Sequence, residues 1–269
     1  MNSGYKFTLS SFNFNLYSFS SPWPSILAFG SIFVYVLLVV SAISTTSWRS
    51  YVKQCSKSHY SLLFLYSTVC FLAALYELVM SGEGLEYAQW LFSSQTSTLS
   101  SPRFYCEPVP SWLRLISLSF IASKVWEWLD TLILIANGKT LNEIGFLHLY
   151  HHATTFFLFL FTTSFPVTEK AGMLLNGAVH ALMYYHFAYR LPRFMRPILT
   201  GIQIVQLLTV TWFWIDCSNK CAGAKNYREQ YQIEFAIPFA LVPVYILLFV
   251  KFFVEQYCCF KRKVKVNTD

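Results

Sequence analysis

The chain has 269 residues, of which 55% are hydrophobic and only 12% charged, and a formal net charge of +7; its mean hydropathy is +0.44. Soluble domains carry about 25% charged residues, so this composition excludes an ordinary soluble protein and points to an all-α integral membrane protein. Aromatic residues make up 19%, including 26 Phe, which suits wide apolar packing surfaces, a lipid-like ligand or simply lipid-facing positions.

Residues 1–24 are rich in Ser, Asn and Phe and end in Pro22-Trp23-Pro24. They lack a basic n-region and a small-residue cleavage site, so a retained tail with an interfacial Trp is expected. Membrane spans are expected over about 25–47 and about 60–80, each near the ~20 residues that cross a bilayer, with a short basic loop between them. Residues 81–110, with Glu83, Glu86 and Glu107, read as the longest extramembrane loop. Further spans follow at about 111–135, 145–165, 171–189, 197–215 and 233–254. The expected architecture is seven transmembrane helices in one domain, 25–256, between an N-terminal tail and a basic tail, 257–269, with no internal repeat.

Arg49, Lys53, Lys57, Lys139, Arg190, Arg193, Arg196, Lys251, Lys261, Arg262, Lys263 and Lys265 fall on one side of this arrangement; Lys6, Arg103, Arg114, Lys170, Lys220, Lys225 and Arg228 fall on the other. The positive-inside rule puts the richer side in the cytosol, with the N-terminus outside it and the C-terminus within. The net charge is therefore mostly a topology signal, and anionic lipid is its chief partner. Nucleic acid is not an expected partner. Cys106, Cys217 and Cys221 fall in non-cytosolic loops, where oxidation is allowed, so a bridge from Cys106 to Cys217 or Cys221 is expected. Cys258-Cys259 beside the last span can be read as a palmitoylation site or as two unmodified cysteines.

Depth in the membrane organises the polar residues. The third span carries Lys124, Glu127, Asp130 and Thr131 in its cytosolic half. The fourth enters from the cytosol, so His148, His151 and His152 lie roughly 5 to 12 Å in at about 1.5 Å per residue. The fifth places Asn176, His180 and Tyr184 in an i, i+4, i+8 stripe, and the sixth repeats Thr200, Gln203 and Gln206 at i+3. Four helices thus offer polar groups at one depth, which predicts a polar chamber open to the cytosol. Taken singly, the Lys-x-x-Glu-x-x-Asp run can be a charge network between helices, and the glutamines can be interhelical hydrogen-bonding residues. His59 and His186, near membrane edges, are expected to be ordinary interfacial residues. Three imidazoles at i, i+3 and i+4 share one side of a helix and are costly to bury, which marks a functional site.

Such a box can ligate a metal, but a membrane di-iron oxygenase needs several boxes and six histidines are too few. A retinal receptor needs a Schiff-base Lys in the last span, where Lys251 sits near the end. Metal-free acid, base or nucleophilic catalysis by imidazole remains.

The ordered series Lys124-x-x-Glu127-x-x-Asp130-Thr131, His148-x-x-His151-His152, Asn176-x-x-x-His180-x-x-Met183-Tyr184 and Thr200-x-x-Gln203-x-x-Gln206 resembles that of the ELO family of very-long-chain fatty-acid elongases. The likeness covers about residues 25–260; it departs after Tyr184, where His186 and Phe187 stand in place of a further tyrosine pair. The resemblance implies an acyltransferase of the endoplasmic reticulum membrane with a lumenal N-terminus and a cytosolic C-terminus. It would condense a long acyl-CoA with malonyl-CoA to 3-oxoacyl-CoA, CoA and carbon dioxide, without a metal or other cofactor. Its partners would be the two CoA substrates, membrane lipid and the reductases and dehydratase of the same cycle, with a homodimer allowed. By what is proposed for similar enzymes, His151 would attack the acyl thioester. His148, His152 and His180 would orient it and stabilise oxyanions, with Asn176, Tyr184 and Gln203 as further donors and Thr131 and Gln206 also facing substrate. Glu127 and Asp130 would hold the imidazole tautomer and Lys124 would balance their charge. Arg190, Arg193, Arg196, Lys139 and the 261–265 tail are candidates for the CoA head, and Trp212, Phe213 and Trp214 for a floor that limits chain length. A one-step mechanism in which histidine acts only as acid or base, and a receptor or lipid-binding protein without turnover, are the rival readings.

Overall fold

A computed structural model of the chain describes residues 7–9, 12–14, 23–86, 103–163, 165–220 and 232–258. Within the expected tail, strands β1 (Phe7–Leu9) and β2 (Phe12–Phe14) pair antiparallel, with Phe7 opposite Phe14. Helices make up almost all the rest. The chain runs through α1 (Trp23–Ser44), α2 (Arg49–Met80), the short α3 (Arg103–Cys106), α4 (Ser111–Trp126), α5 (Trp128–Ala136), the single turn α6 (Leu141–Ile144) and α7 (Phe146–Thr162). A π-turn, Thr168–Gly172, then leads into α8 (Met173–Tyr189), followed by α9 (Met195–Lys220) and α10 (Gln232–Phe253).

Four helices among the described residues are long and apolar enough to cross a membrane: Ile26–Ser44, Arg49–Met80, Met195–Cys217 and Ala236–Cys258. Apart from the short β1–β2 pair, the described residues are almost wholly helical, and the protein is a multi-pass membrane protein. The second of these helices starts at Arg49 rather than near residue 60, so the expected basic loop is helical and Arg49, Lys53 and Lys57 ride on its first turns. The stretch expected as one third span is broken between α4 and α5 at Glu127. Its φ of −62° and ψ of −15° are those of a tighter turn, and the Asp130 N–H donates three residues back to the Glu127 carbonyl at 3.0 Å. A mid-helix tightening of this kind commonly accompanies a functional position.

Neighbouring pairs close a ring: α2 packs on α4 and α5, α4 on α7, α7 on α10, α10 on α9, α9 on α8, and α8 back on α2, while α1 lies outside against α5 and α7. Apolar clusters hold the junctions. Cys70, Ala74, Leu113, Phe120 and Met173 join α2, α4 and α8, and Tyr35, Val39, Ala42, Trp128 and Ile135 seat α1 on α5.

Two glycines set this geometry. Gly145, between α6 and α7, has a φ of +83°, a region that side chains with a Cβ disfavour. It redirects the chain immediately after the Thr140–Glu143 capping box. There, hydrogen bonds from Thr140 hold the exposed Glu143 carboxyl below its ordinary range. Gly177 is where α8 meets α2: a Cβ there would sit 3.1 Å from Phe71 N and 3.2 Å from the Ser67 carbonyl oxygen. Both are backbone atoms of α2, so neither can swing away. Gly177→Ala is expected to lower the thermal unfolding midpoint in detergent, at an overpacking cost of about 1–3 kcal/mol; an unchanged midpoint would mean that the two helices part without loss.

The expected disulfide is revised. Because α9 continues to Lys220, Cys217 lies in a helix rather than a loop, buried in a cluster with Phe104, Tyr105, Phe165 and Trp214, and its thiol is free. Cys221 and the side chain of Cys106 lie outside the described residues.

Candidate active site

Helices α4, α7, α8, α9 and α10 of the ring line an elongated cavity. One end carries polar groups: Lys124 from α4, His151 and Thr155 from α7, Asn176 and His180 from α8 and Gln206 from α9. The other end is closed by Val167, Phe213 and Trp214, with Leu158, Phe159, Leu207, Val210, Phe239 and Val242 between. From His151 to Thr162, both lining residues of α7, the cavity follows about 16 Å of helix axis at about 1.5 Å per residue.

The polar end is a hydrogen-bonded cluster on a buried cation. Lys124, 1% exposed, donates from Nζ to Glu127 Oε1 at 2.7 Å and to Asn176 Oδ1 at 3.0 Å, and its ammonium lies over the Phe120 ring at 4.2 Å. The same Glu127 oxygen is 3.5 Å from His180 Nδ1, close enough for charge attraction but without hydrogen-bond alignment, since His180 Nδ1 has no hydrogen-bond partner. Glu127 is 2% exposed; a carboxylate so placed is tolerable only beside a cation. Lys124, Glu127, Asn176 and His180 therefore form one unit built from α4, the α4–α5 break and α8.

A second unit lies behind the first. Asp130 Oδ1 is 2.7 Å from His59 Nε2, and Asp130 Oδ2 accepts from the Tyr184 hydroxyl at 2.8 Å. Thr131 Oγ1 meets His148 Nε2 at 3.0 Å and the Tyr35 hydroxyl at 2.9 Å. The Trp128 indole N–H donates to the His152 carbonyl at 2.9 Å. Asp130 and Thr131 thus tie α1, α2, α7 and α8 to α5, and neither lines the cavity.

The histidine box divides between these units. Successive helical residues are about 100° apart, so His151 and His152 point to different sides. The rings of His148 and His152 pack at a tilt of 42° with centroids 4.2 Å apart, on the side of the second unit, while His151 alone of the three lines the cavity. Its ring packs edge-on against Tyr245 at 5.2 Å and Phe249 at 6.1 Å, both from α10. Among the described residues, no group of three or more His, Cys, Asp or Glu side chains converges in a metal-binding arrangement.

Other expected positions sit apart from the cavity. Gln203 contacts the Met183 sulfur at 3.7 Å, whereas Gln206 lines the cavity; Thr200 is buried and bonds to the Arg196 carbonyl. Arg190 and Arg193 are exposed on the α8–α9 connection, and residues 261–265 lie outside the described set. Trp212 is 44% exposed, so of the three aromatic residues expected at a floor only Phe213 and Trp214 line the cavity. His186, expected as an interfacial residue, accepts at its Nδ1 from the Leu191 N–H at 2.9 Å just past the end of α8.

Two residues were missed. His59 is not an interfacial residue; it is 8% exposed and bonded to Asp130. Its burial follows from the early start of α2, which places it well inside a helix. Tyr245, 1% exposed, lines the cavity beside His151. Thr154 donates to the Tyr150 carbonyl at 2.6 Å, so its Oγ1 accepts from the Tyr245 hydroxyl at 2.7 Å and pins that ring. No motif marks it; the only signal was a lone tyrosine in an aliphatic run.

Comparison with known proteins agrees with the ordered motifs. The chain is 30% identical to "Fatty acid elongase 1" of Trypanosoma brucei brucei over 62% of its own length and 55% of that protein. It is 30% identical to "Very long chain fatty acid elongase 7" of Rattus norvegicus over 68% and 63% respectively, and 32% identical to "Long chain fatty acid elongase 1" of Caenorhabditis elegans over 51% and 49%. The aligned region thus spans between 49% and 63% of these relatives' own lengths. The ELO (GNS1/SUR4) family model matches residues 17–265, which takes in every helix of the ring and the polar end of its cavity. The chain belongs to the ELO family.

Proposed function

We propose that this protein is the condensing enzyme of fatty-acid elongation, an acyltransferase joining a long-chain acyl-CoA to malonyl-CoA with loss of carbon dioxide and CoA. The observation that carries this reading is the cavity itself: an imidazole beside a buried ammonium and an amide at one end of a long apolar slot, on a chain whose relatives are named fatty-acid elongases. A thioester requires a nucleophile and charge-stabilising donors, and its hydrocarbon tail requires apolar walls.

In this scheme the acyl chain lies along the slot with its carbonyl at His151. The imidazole nitrogen attacks the thioester carbon, the C–N bond forms, the C–S bond breaks, and CoA leaves as the thiol after taking the imidazole proton. Malonyl-CoA then enters; decarboxylation gives its enolate, which attacks the acyl carbon, so the C–C bond forms, the C–N bond breaks, and the departing imidazole nitrogen takes up a proton from water. Lys124 and Asn176 face the developing oxyanion, Glu127 keeps Lys124 and His180 in register, and Asp130 and Thr131 hold the helices that carry them. Arg190 and Arg193 meet the CoA phosphates at the cytosolic rim, and no metal or other cofactor takes part. The reading also includes seven membrane crossings in one domain of residues 25–256, location in the endoplasmic reticulum with the N-terminus lumenal, and work alongside the reductases and dehydratase of the elongation cycle.

The discriminating assay is release of labelled carbon dioxide from carboxyl-labelled malonyl-CoA by microsomes bearing the protein, supplied with acyl-CoA. Acyl-CoA-dependent release supports the reading; ligand binding without release returns the protein to the lipid-binding class. The closed end gives a second test. Trp214→Ala, which opens the wall formed with Phe213 and Val167, is expected to shift products towards longer chains, while Trp212→Ala leaves their lengths unchanged. The reverse pattern would place the end of the acyl chain elsewhere.

A further inference from the structure

Threonines inside these helices follow a pattern. Thr68, Thr154, Thr162, Thr209 and Thr211 each donate their hydroxyl to the carbonyl four residues earlier, at 2.6–2.9 Å, the usual way a helical threonine satisfies itself. Thr155 departs from it. Its side chain is 4% exposed, its Oγ1 is buried with no hydrogen-bond partner, and it lines the cavity one turn deeper than His151, beside Lys124, Asn176 and His180. A buried hydroxyl without a partner is disfavoured, and in a native protein such a group calls for a reason. Its surroundings offer one: two other polar atoms of residues that line the same cavity, His151 Nδ1 and His180 Nδ1, are also buried without partners. A polar guest would complete the set.

We propose that Thr155 is a catalytic residue whose hydroxyl donates a hydrogen bond to the carbonyl oxygen of the bound acyl thioester and follows that oxygen as it becomes an oxyanion. This assignment rests on the elongase reading and deepens it. Of the groups around His151, a threonine hydroxyl is a donor whatever the pH or tautomer. Its place at i+4 puts it on the same side of α7 as the imidazole, about 6 Å along the axis. Attack on the carbonyl converts a weak acceptor into a strong one, so a donor at this point binds the transition state better than the substrate. The bonds formed and broken remain those of the acyl transfer to His151.

The test uses purified full-length protein in two assays. In the condensation assay with palmitoyl-CoA and malonyl-CoA, Thr155→Val, which keeps the shape and removes the O–H, should lower kcat by about 100-fold with KM for malonyl-CoA unchanged, and Thr155→Ser should recover most of the rate. In the binding assay, run in the His151→Ala background so that no acyl transfer occurs, the protein should hold palmitoyl-CoA about tenfold more tightly than the thioether S-hexadecyl-CoA, which lacks the carbonyl, and adding Thr155→Val should make it bind the two alike. Turnover by Thr155→Val within a few-fold of wild type overturns the proposal and leaves the elongase reading standing. Equal binding of thioester and thioether by the His151→Ala protein overturns it even if the valine variant fails to fold. A Thr155-dependent preference for the thioester in that background, with no carbon dioxide released by wild-type protein, sinks the elongase reading and keeps the carbonyl contact.

Discussion

Condensation is expected to fall at least about 1,000-fold when His151 is replaced by alanine, as it does when the nucleophile of other acyl-transfer enzymes is removed, with the fold intact. The expectation follows from position. His151 is the one imidazole of the box that lines the cavity, and its nearest ring neighbours from another helix, Tyr245 and Phe249, belong to α10 and are unaffected by the change. His148→Ala should cost less activity and more stability, because that ring is bonded to Thr131 and packed against His152 rather than set in the slot. Labelled carbon dioxide release gives the rates, and thermal unfolding in detergent separates the two kinds of loss. The covalent scheme has its own readout: wild-type protein given acyl-CoA alone should release CoA and carry the acyl mass on peptides containing His151. Release of no CoA, with no adduct, would leave His151 as acid or base in a single step, and a His151→Ala variant that still turns over would remove it from the chemistry altogether.

Much of this site was legible before any coordinates, for a physical reason. Polar side chains are rare in membrane-length apolar segments, so those in the third to sixth spans stood out, and reckoning depth along each span brought Lys124, His151, Asn176 and His180 to one level. The structure sets these four at one cavity end. Side-chain direction was less legible. Residues at i, i+3 and i+4 cover an arc of about 100°, wide enough that His151 faces the slot while His148 and His152 face α5. Gln203 and Gln206 differ by the same geometry, three residues apart but with only the second lining the cavity. Span limits were a further source of error. Basic residues near a bilayer edge read as a loop, yet Arg49, Lys53 and Lys57 sit on helix α2, and that mistake hid His59, whose partner Asp130 is 71 positions away. Cys217 was misread for the same reason: α9 extends beyond the expected end of its span. Contacts between segments distant in sequence, such as Tyr245 with Thr154 or Tyr105 donating to Asp216 at 2.7 Å, leave no local pattern to detect.

Lys124→Met should destabilise the protein by about 3–5 kcal/mol, the cost of stranding a buried charge by removing its partner. Glu127 would be left 2% exposed, with only a loosely aligned contact to His180 at 3.5 Å and one carboxylate oxygen already unpartnered. Asn176 would lose the donor to its Oδ1 at the same time. The expected readouts are a lower unfolding midpoint and less folded protein recovered from membranes, along with lost turnover. That single variant does not separate holding the helices together from doing chemistry, so the informative comparison is with the double variant that joins Lys124→Met to Glu127→Leu. Replacing a buried ion pair with packed apolar side chains of similar size is often neutral or stabilising, and Phe120 and Phe159, whose rings flank the ammonium, provide apolar surroundings for Met and Leu. The double variant is therefore expected to recover the unfolding midpoint and not the activity, because an oxyanion beside His151 would then meet a thioether where an ammonium had been. Recovery of both would show that the pair serves only to fasten α4 to α8, and the donors for the thioester would have to be sought among Asn176, His180 and the α7 hydroxyls.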